Sequence, residues 1–188
     1  MTMEKLTIKA REAVTAAANN AASRGNPEVK PIHILEALLS DDSGTVPGVL
    51  DRLGVKTSIL AVPIQDALEK EPRSSGGSSP GLSRSSMGVV KSAEKTADEM
   101  KDDFVASEHL FMGILQGSGV ASEILNNAGI GKDSFLQALS EIRGSSRVTS
   151  ENAEDSYEAL KKYTKDLTAL ARQEKLDPVI GRDQEIMR

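Results

Sequence analysis

Cysteine and tryptophan are absent from this chain, and only five of its 188 residues are aromatic: Phe104, Phe111, Phe135, Tyr157 and Tyr163. Without cysteine there is no disulfide framework, no thiolate metal ligand and no thiol nucleophile, which fits a reducing compartment and points to the cytoplasm. With so few rings the core must be built from Ala, Leu, Ile and Val, residues that suit closely packed helices, so the predicted fold class is all-α. No uninterrupted apolar run approaches the length of a membrane span, which argues against insertion and export. Excess positive charge is lacking too: 28 carboxylates against 23 Lys and Arg leave a net charge of -5. Such a surface repels a phosphate backbone and offers bases little to stack on, so nucleic acid is a poor partner. The 38% hydrophobic content can still fill a modest core.

What the chain does contain is a repetition. "HILEALL" from His33 and "HLFMGIL" from His109 lie 76 residues apart. The same offset brings Val14, Ala17 and Ala21 onto Val90, Ala93 and Ala97, and Val29 onto Val105. After Leu39 the offset slips by one residue, and Val49, Leu50, Gly54 and Val55 then meet Ile124, Leu125, Gly129 and Ile130. Each half reads as about four short helices. Thr7 can cap the first, whose stripe of Ala10, Val14, Ala17 and Ala21 runs until Gly25 stops it. Pro31 opens the second, with Ser107 as its counterpart start. The third carries Val49, Leu50 and Leu53, matched by Ile124, Leu125 and Ala128, and the fourth carries Leu60, Ile64 and Leu68, matched by Phe135, Leu139 and Ile142.

These features predict a first repeat over 1–72, a glycine- and serine-rich connector over 73–86 and a second repeat over 87–144. The polar run "SSRVTSENAED" predicts a domain end near residue 145 and a flexible linker over 146–156. From Ser156 the style changes: Tyr157, Leu160, Tyr163, Leu167 and Leu170 share one helical face that needs a partner surface.

Candidate chemistry is sparse. Zinc needs three or four ligands at set spacing, and His33 and His109 supply at most half a site, so no metal is expected. Both histidines fall in the first turn of a helix, and their recurrence follows from duplication. Gly117 to Gly119 read as a helix-helix turn rather than a nucleophile elbow. Asp102, Asp103 and Glu108 could be drawn as an acid-base set, but charge runs are usually solvated faces. No G-x-x-x-x-G-K-[ST] loop is present, so the chain by itself is not expected to hydrolyse ATP, and no catalytic residue or cofactor is assigned to it.

The closing stretch "YEALKKYTKDLTALARQEKLDPVIGRDQEIMR" resembles the segment that leads into the first ATPase module of the ClpB-type disaggregases, of the AAA+ class. The duplicated helices are similar to the Clp amino-terminal domain, so the resemblance covers essentially the whole chain. It implies a fragment: a Clp double-repeat domain over 1–145, then the truncated start of an AAA+ module over 157–188. Val179 and Ile180 would lie beside adenine in a complete module, where ATP and Mg belong to the full-length parent.

The resemblance further implies a mobile module that engages unfolded or aggregated polypeptide before an ATPase ring threads it. Thr7, Asp102 and Glu108 match positions linked with that engagement. Grouped on one surface, they would accept hydrogen bonds from a client backbone or attract Lys and Arg. Ser92, Thr96 and His109 fall where relatives line an adjacent groove with leucines, which predicts weak binding, on the order of micromolar or poorer. Val89, Val90, Met100, Leu110 and Met112 offer further apolar contacts. The fragment is expected to be monomeric, and the parent a homohexamer working with an Hsp70-type chaperone in recovery from heat stress. Two other readings stay open: an adaptor-docking domain of the ClpA or ClpC type, and a passive structural spacer.

Overall fold

The computed structural model describes residues 3–42, 44–74, 79–144 and 146–157. The first repeat contributes α1 (Ile8–Arg24), β1 (Glu28–Val29), α2 (Pro31–Ser40), α3 (Thr45–Arg52) and α4 (Thr57–Glu69). The second contributes β2 (Gly81–Leu82), α5 (Arg84–Met100), α6 (Ser107–Leu115), α7 (Val120–Asn127) and α8 (Lys132–Arg143). The all-α expectation holds. Thr7 Oγ1 accepts the Ala10 N–H at 3.2 Å and so caps α1, while Gly25, at φ 74°, closes it. The Ala10, Val14, Ala17 and Ala21 stripe is buried as its spacing requires.

Helices α2 and α6 are apolar around most of their circumference, which only a central position satisfies. All nine residues of α6 are buried, and α2 and α6 pack on each other and on most other helices. One apolar core therefore runs through both repeats. Phe111 and Phe135 stack within it at 4.6 Å between centroids, completely buried. Burying an aliphatic or aromatic side chain of this size contributes about 1.5–3 kcal/mol, so the shared core favours the two repeats folding together.

The repeats are also interlocked by exchanged strands. Leu82, which opens the second repeat, pairs in parallel with Val29 of the first, and Leu6, which opens the first, pairs in parallel with Val105 of the second. The caps follow the same symmetry: Thr7 donates its N–H to Val105 O, and Ser83 donates its own to Val29 O. The connector expected over 73–86 is therefore structured from Gly81 onwards, with Ser83 and Ser86 buried.

A larger correction concerns 146–156. Residues through Tyr157 belong to the same compact unit as the helices. Val148, Ala153, Glu154 and Tyr157 are buried, and Val148 O accepts N–H bonds from Asp103 (2.9 Å) and Phe104 (3.2 Å). The run reads as a linker because backbone bonds and a few anchors hold it, with no apolar periodicity. Past Tyr157, the expected amphipathic helix and the ATPase start, with Val179 and Ile180, lie outside the described residues.

Two substitutions test the packing. A Cβ at Gly113 would sit 2.4 Å from the Val89 carbonyl oxygen, so Gly113→Ala must force α5 and α6 apart. A loss of about 1–3 kcal/mol in denaturant unfolding is expected, and an unchanged midpoint would refute the close approach. Lys101 ends α5 at φ 59°, where the first repeat has Gly25 at the matching position. Lys101→Gly should then stabilise the domain, by about 1 kcal/mol, through relief of the left-handed conformation.

Candidate functional site

The two histidines open the site. His109 Nδ1 accepts the Ala106 N–H at 2.9 Å, and His33 Nδ1 accepts the Lys30 N–H at 3.0 Å. Each ring thus satisfies a backbone donor at the start of its own helix, which leaves Nε2 as the protonated nitrogen. Burial pushes the His33 imidazole below its ordinary value, consistent with this neutral tautomer. His33 Nε2 meets Asn26 Oδ1 at 3.1 Å, and His109 Nε2 lies 3.1 Å from Asp102 Oδ2, off the direction of a good hydrogen bond. Asn26 and Asp102 are themselves 76 residues apart. The repeated phrase encodes a helix start, its ring and the polar group that holds the ring.

The second repeat departs from the first at this corner. Asn26 donates its side-chain amide to Pro72 O at 2.9 Å, whereas Asp102 Oδ1 accepts the Val148 N–H at 2.8 Å. A proline has no N–H to give, so the amide suits the first repeat and the carboxylate the second. Arg143 Nη2 then lies 2.7 and 2.8 Å from the two Asp102 oxygens. Burial would raise the Asp102 carboxyl, but the His109 ring, the Val148 N–H and the Arg143 guanidinium outweigh it and hold it at about 2.

Beside this pair, Glu108 is completely buried, with Oε1 3.5 Å from Arg143 Nη1 and 3.3 Å from the Tyr157 hydroxyl that donates to it. The Arg143 guanidinium also stands over the Tyr157 ring, 5.6 Å from its centroid. Thr7 and Ser107 donate their hydroxyls to the Glu154 carboxylate, which also takes the Ser107 N–H at 3.2 Å. Thr7, Asp102 and Glu108 are therefore brought to one corner, as expected from the resemblance, but inside it: Thr7 and Glu108 are 0% exposed and Asp102 7%. The expectation of a shared client-facing surface is corrected for Thr7 and Glu108, while Asp102 also reaches the lining of an open hollow. Thr7 Oγ1, both Asp102 oxygens and Glu108 Oε1 are already engaged by 146–157 and Arg143.

The open feature lies on the other side of residues 102–105. A hollow of about 700 Å³ is floored by Leu82, Val90, Phe104 and Val105, with Met87 half exposed at its lip. Lys5, Lys91, Glu94, Asp98 and Asp103 rim it. Ser92, Thr96 and His109 do not line this hollow. Positions 87, 90, 91, 94, 97 and 98 form the face of α5 that lines it, whereas Thr96 points elsewhere and returns its hydroxyl to Ser92 O, and Ser92 lines a separate depression between α5 and α6. Met87 and Phe104 are the groove residues that the sequence reading missed. Their matches at the 76-residue offset are Arg11 and Glu28, and that break in the repetition was the available signal.

Among the described residues no group of three His, Cys, Asp or Glu is placed to hold a metal, and no helix is long and apolar enough to cross a membrane.

The family model of the Clp repeat N-terminal domain matches residues 5–128. The chain belongs to that family. It is 43% identical over 183 residues to a chaperone protein ClpB of Mycobacterium leprae, covering 97% of this chain and 22% of that protein. A ClpB of Nitratidesulfovibrio vulgaris is 40% identical over the full chain, again across 22% of its own length. The chain thus spans about a fifth of the curated relatives it matches. The Hsp104 N-terminal domain of Candida albicans shares the fold at a TM-score of 0.71 and 22% identity, over 80% of this chain and 99% of that one. A ClpV N-domain solved in complex with a VipB peptide matches at a TM-score of 0.58 and 22% identity, over 74% and 89%.

The buried corner predicts a pH dependence. Burial, reinforced by the neighbouring Glu108 charge, pushes the Glu154 carboxyl from 4.5 up to about 7. The docked segment therefore holds its proton more tightly than a free one, and docking loses stability as pH rises through about 7. Asp102 acts oppositely, with its contribution lost only as pH falls below 3.8 towards about 2. Protection of the Val148 amide, corrected for intrinsic exchange, should fall between pH 6 and pH 8, and Glu154→Gln should flatten the profile. Equal protection at both pH values in the unsubstituted chain would contradict the assignment.

Proposed function

We propose that this domain captures exposed segments of unfolded or aggregated polypeptide for an attached disaggregase. The observation that carries the reading is the groove bounded by Met87 and Phe104, an apolar strip with adaptable methionine at its lip and three acidic residues against two lysines on its rim. An extended segment with apolar side chains and a surplus of Lys or Arg fits it. Few deep anchors are present, so affinity on the order of micromolar or weaker is expected, which suits a module that must release its cargo. The Arg11 and Glu28 matches in the first repeat make the capture one-sided.

Within a full-length protein of the ClpB type, this capture would raise client concentration over an ATPase ring. The ring, a homohexamer loaded with ATP and Mg and working in the cytoplasm with an Hsp70-type chaperone, supplies the work, and Val179 and Ile180 would sit beside the nucleotide. Binding is the role of the domain itself. A ClpV N-domain of the same fold was solved with a VipB peptide, in keeping with a peptide as occupant; a second reading is docking of a folded adaptor. Denaturing such an adaptor would abolish its binding, the opposite of client capture.

Fluorescence anisotropy of a labelled, permanently unfolded protein, titrated at low salt beside its native form, separates these readings. Saturable binding of the unfolded form alone is expected. Met87→Glu should weaken it about tenfold with little change in stability, whereas Ile59→Glu, on the exposed face of α4, should leave it unchanged. Equal effects of the two substitutions would remove the groove from the reading.

A further inference from the structure

We propose that residues 146–157 form a releasable strap, and that the recess beneath it is a second polypeptide site, which a client segment enters by displacing the strap. The inference rests on the client-capture reading above. Around Val148 the strap is held by backbone bonds of the kind a foreign chain could make, and beyond it by a 3-10 turn over Ala153–Ser156. Val148 donates its N–H to the Asp102 carboxylate and accepts the N–H groups of Asp103 and Phe104, Glu151 O accepts the Ile8 N–H at 2.9 Å, and Glu154 places its carboxylate against Thr7 and Ser107. A segment that runs straight at a β-branched residue and then turns through a single 3-10 turn to present a carboxylate and an aromatic, as Val148, the Ala153–Ser156 turn and Tyr157 do, reproduces these contacts.

The closed recess is also incompletely satisfied. Glu108 Oε2, His109 Nε2 and Arg143 Nη1 are buried without a hydrogen-bond partner, although each belongs to a charged or polar cluster. A partly satisfied buried network lowers the stability of the state that buries it, and opening returns these atoms to water or to a ligand. Glu154 and Glu108, two carboxylates closed into one corner, oppose docking in the same sense. The first repeat has no such corner, since Ile32 stands where the second repeat has Glu108, and Pro72 caps a neutral Asn26.

Position supplies the link to capture. Residues 102–105 border the open groove on one side, and residues 102–104 bond the strap on the other. A client seated in the groove needs only to continue past Phe104 to meet Val148. Strap and client then compete, and the apparent affinity of the recess is reduced by the fraction of time the strap is docked.

Val148→Asp in the full 188-residue chain puts a charge on the strap's fully buried anchor and leaves Thr7, Asp102 and Glu108 in place. A labelled synthetic peptide of residues 146–157 should bind this variant saturably and the unsubstituted chain about tenfold more weakly. The unfolded protein should bind the variant more tightly than the unsubstituted chain and compete with the peptide. A peptide that binds neither chain, with helical content intact by circular dichroism, overturns the recess. Equal client affinity for both chains without competition overturns the displacement and leaves groove capture standing. A client that binds neither chain, while the peptide binds the variant, removes client capture and with it the displacing role. Should Val148→Asp lose its helices, Tyr157→Ala, which releases the other end of the strap, carries the same comparison.

Discussion

The Asp102 carboxylate is tied to three parts of the domain at once: Arg143 at the end of α8, the His109 ring at the start of α6 and the Val148 N–H that follows the last helix. Remove it and a buried guanidinium loses the nearer of its two carboxylate partners, a change that costs up to about 3–5 kcal/mol where such pairs have been broken. The neighbouring arrangement depends on it in turn, because Arg143 positioned by Asp102 reaches Glu108 and Tyr157, and the same segment that ends in Tyr157 carries Glu154 to Thr7 and Ser107. Loss of client binding in an Asp102 or Glu108 variant would therefore report a loosened corner as readily as a lost contact. Residues such as Met87, exposed and outside the network, distinguish the two.

The duplication explains why such a corner exists on one side only. Both repeats use the same device to start their second helix, a histidine held by a polar residue seven positions before it, and both bring the chain back over that residue after their fourth helix. Divergence at a few positions then changed the outcome. Asparagine beneath proline gives a neutral closure. Aspartate beneath a backbone N–H, with Glu108 and Arg143 nearby, gives a charged one that stores several desolvated groups under a short polar segment. The same asymmetry on the outer faces, Arg11 and Glu28 against Met87 and Phe104, leaves an apolar groove on the second repeat.

The helices were legible in the sequence because their signals are local and periodic: Thr7 before an alanine stripe, Pro31 and Ser107 at helix starts, Gly25 and Gly54 in left-handed conformation past helix ends. The strand exchange was not, since two-residue strands carry no alternation to read. Nor was the strap, whose attachment runs through backbone groups and a single valine within a run of serine and acidic residues. Asp102 and Glu108 were placed on the surface because carboxylates usually are, and the sequence gives no sign that Arg143, 41 residues after Asp102, is their partner. The 76-residue offset held more than was taken from it: extended to Asn26 and Asp102, it marks the residues over which the chain folds back.

The central claim is that the second repeat offers the polypeptide-binding face. Its most direct test is amide chemical-shift mapping of the isotopically labelled chain titrated with a permanently unfolded protein. The account predicts progressive shifts at Met87, Lys91, Asp98, Asp103 and Phe104, spreading to Val148 and Tyr157 as the strap yields, with the amides of α3 and α4 unmoved. Shifts confined to the first repeat, or spread evenly over both, would contradict it.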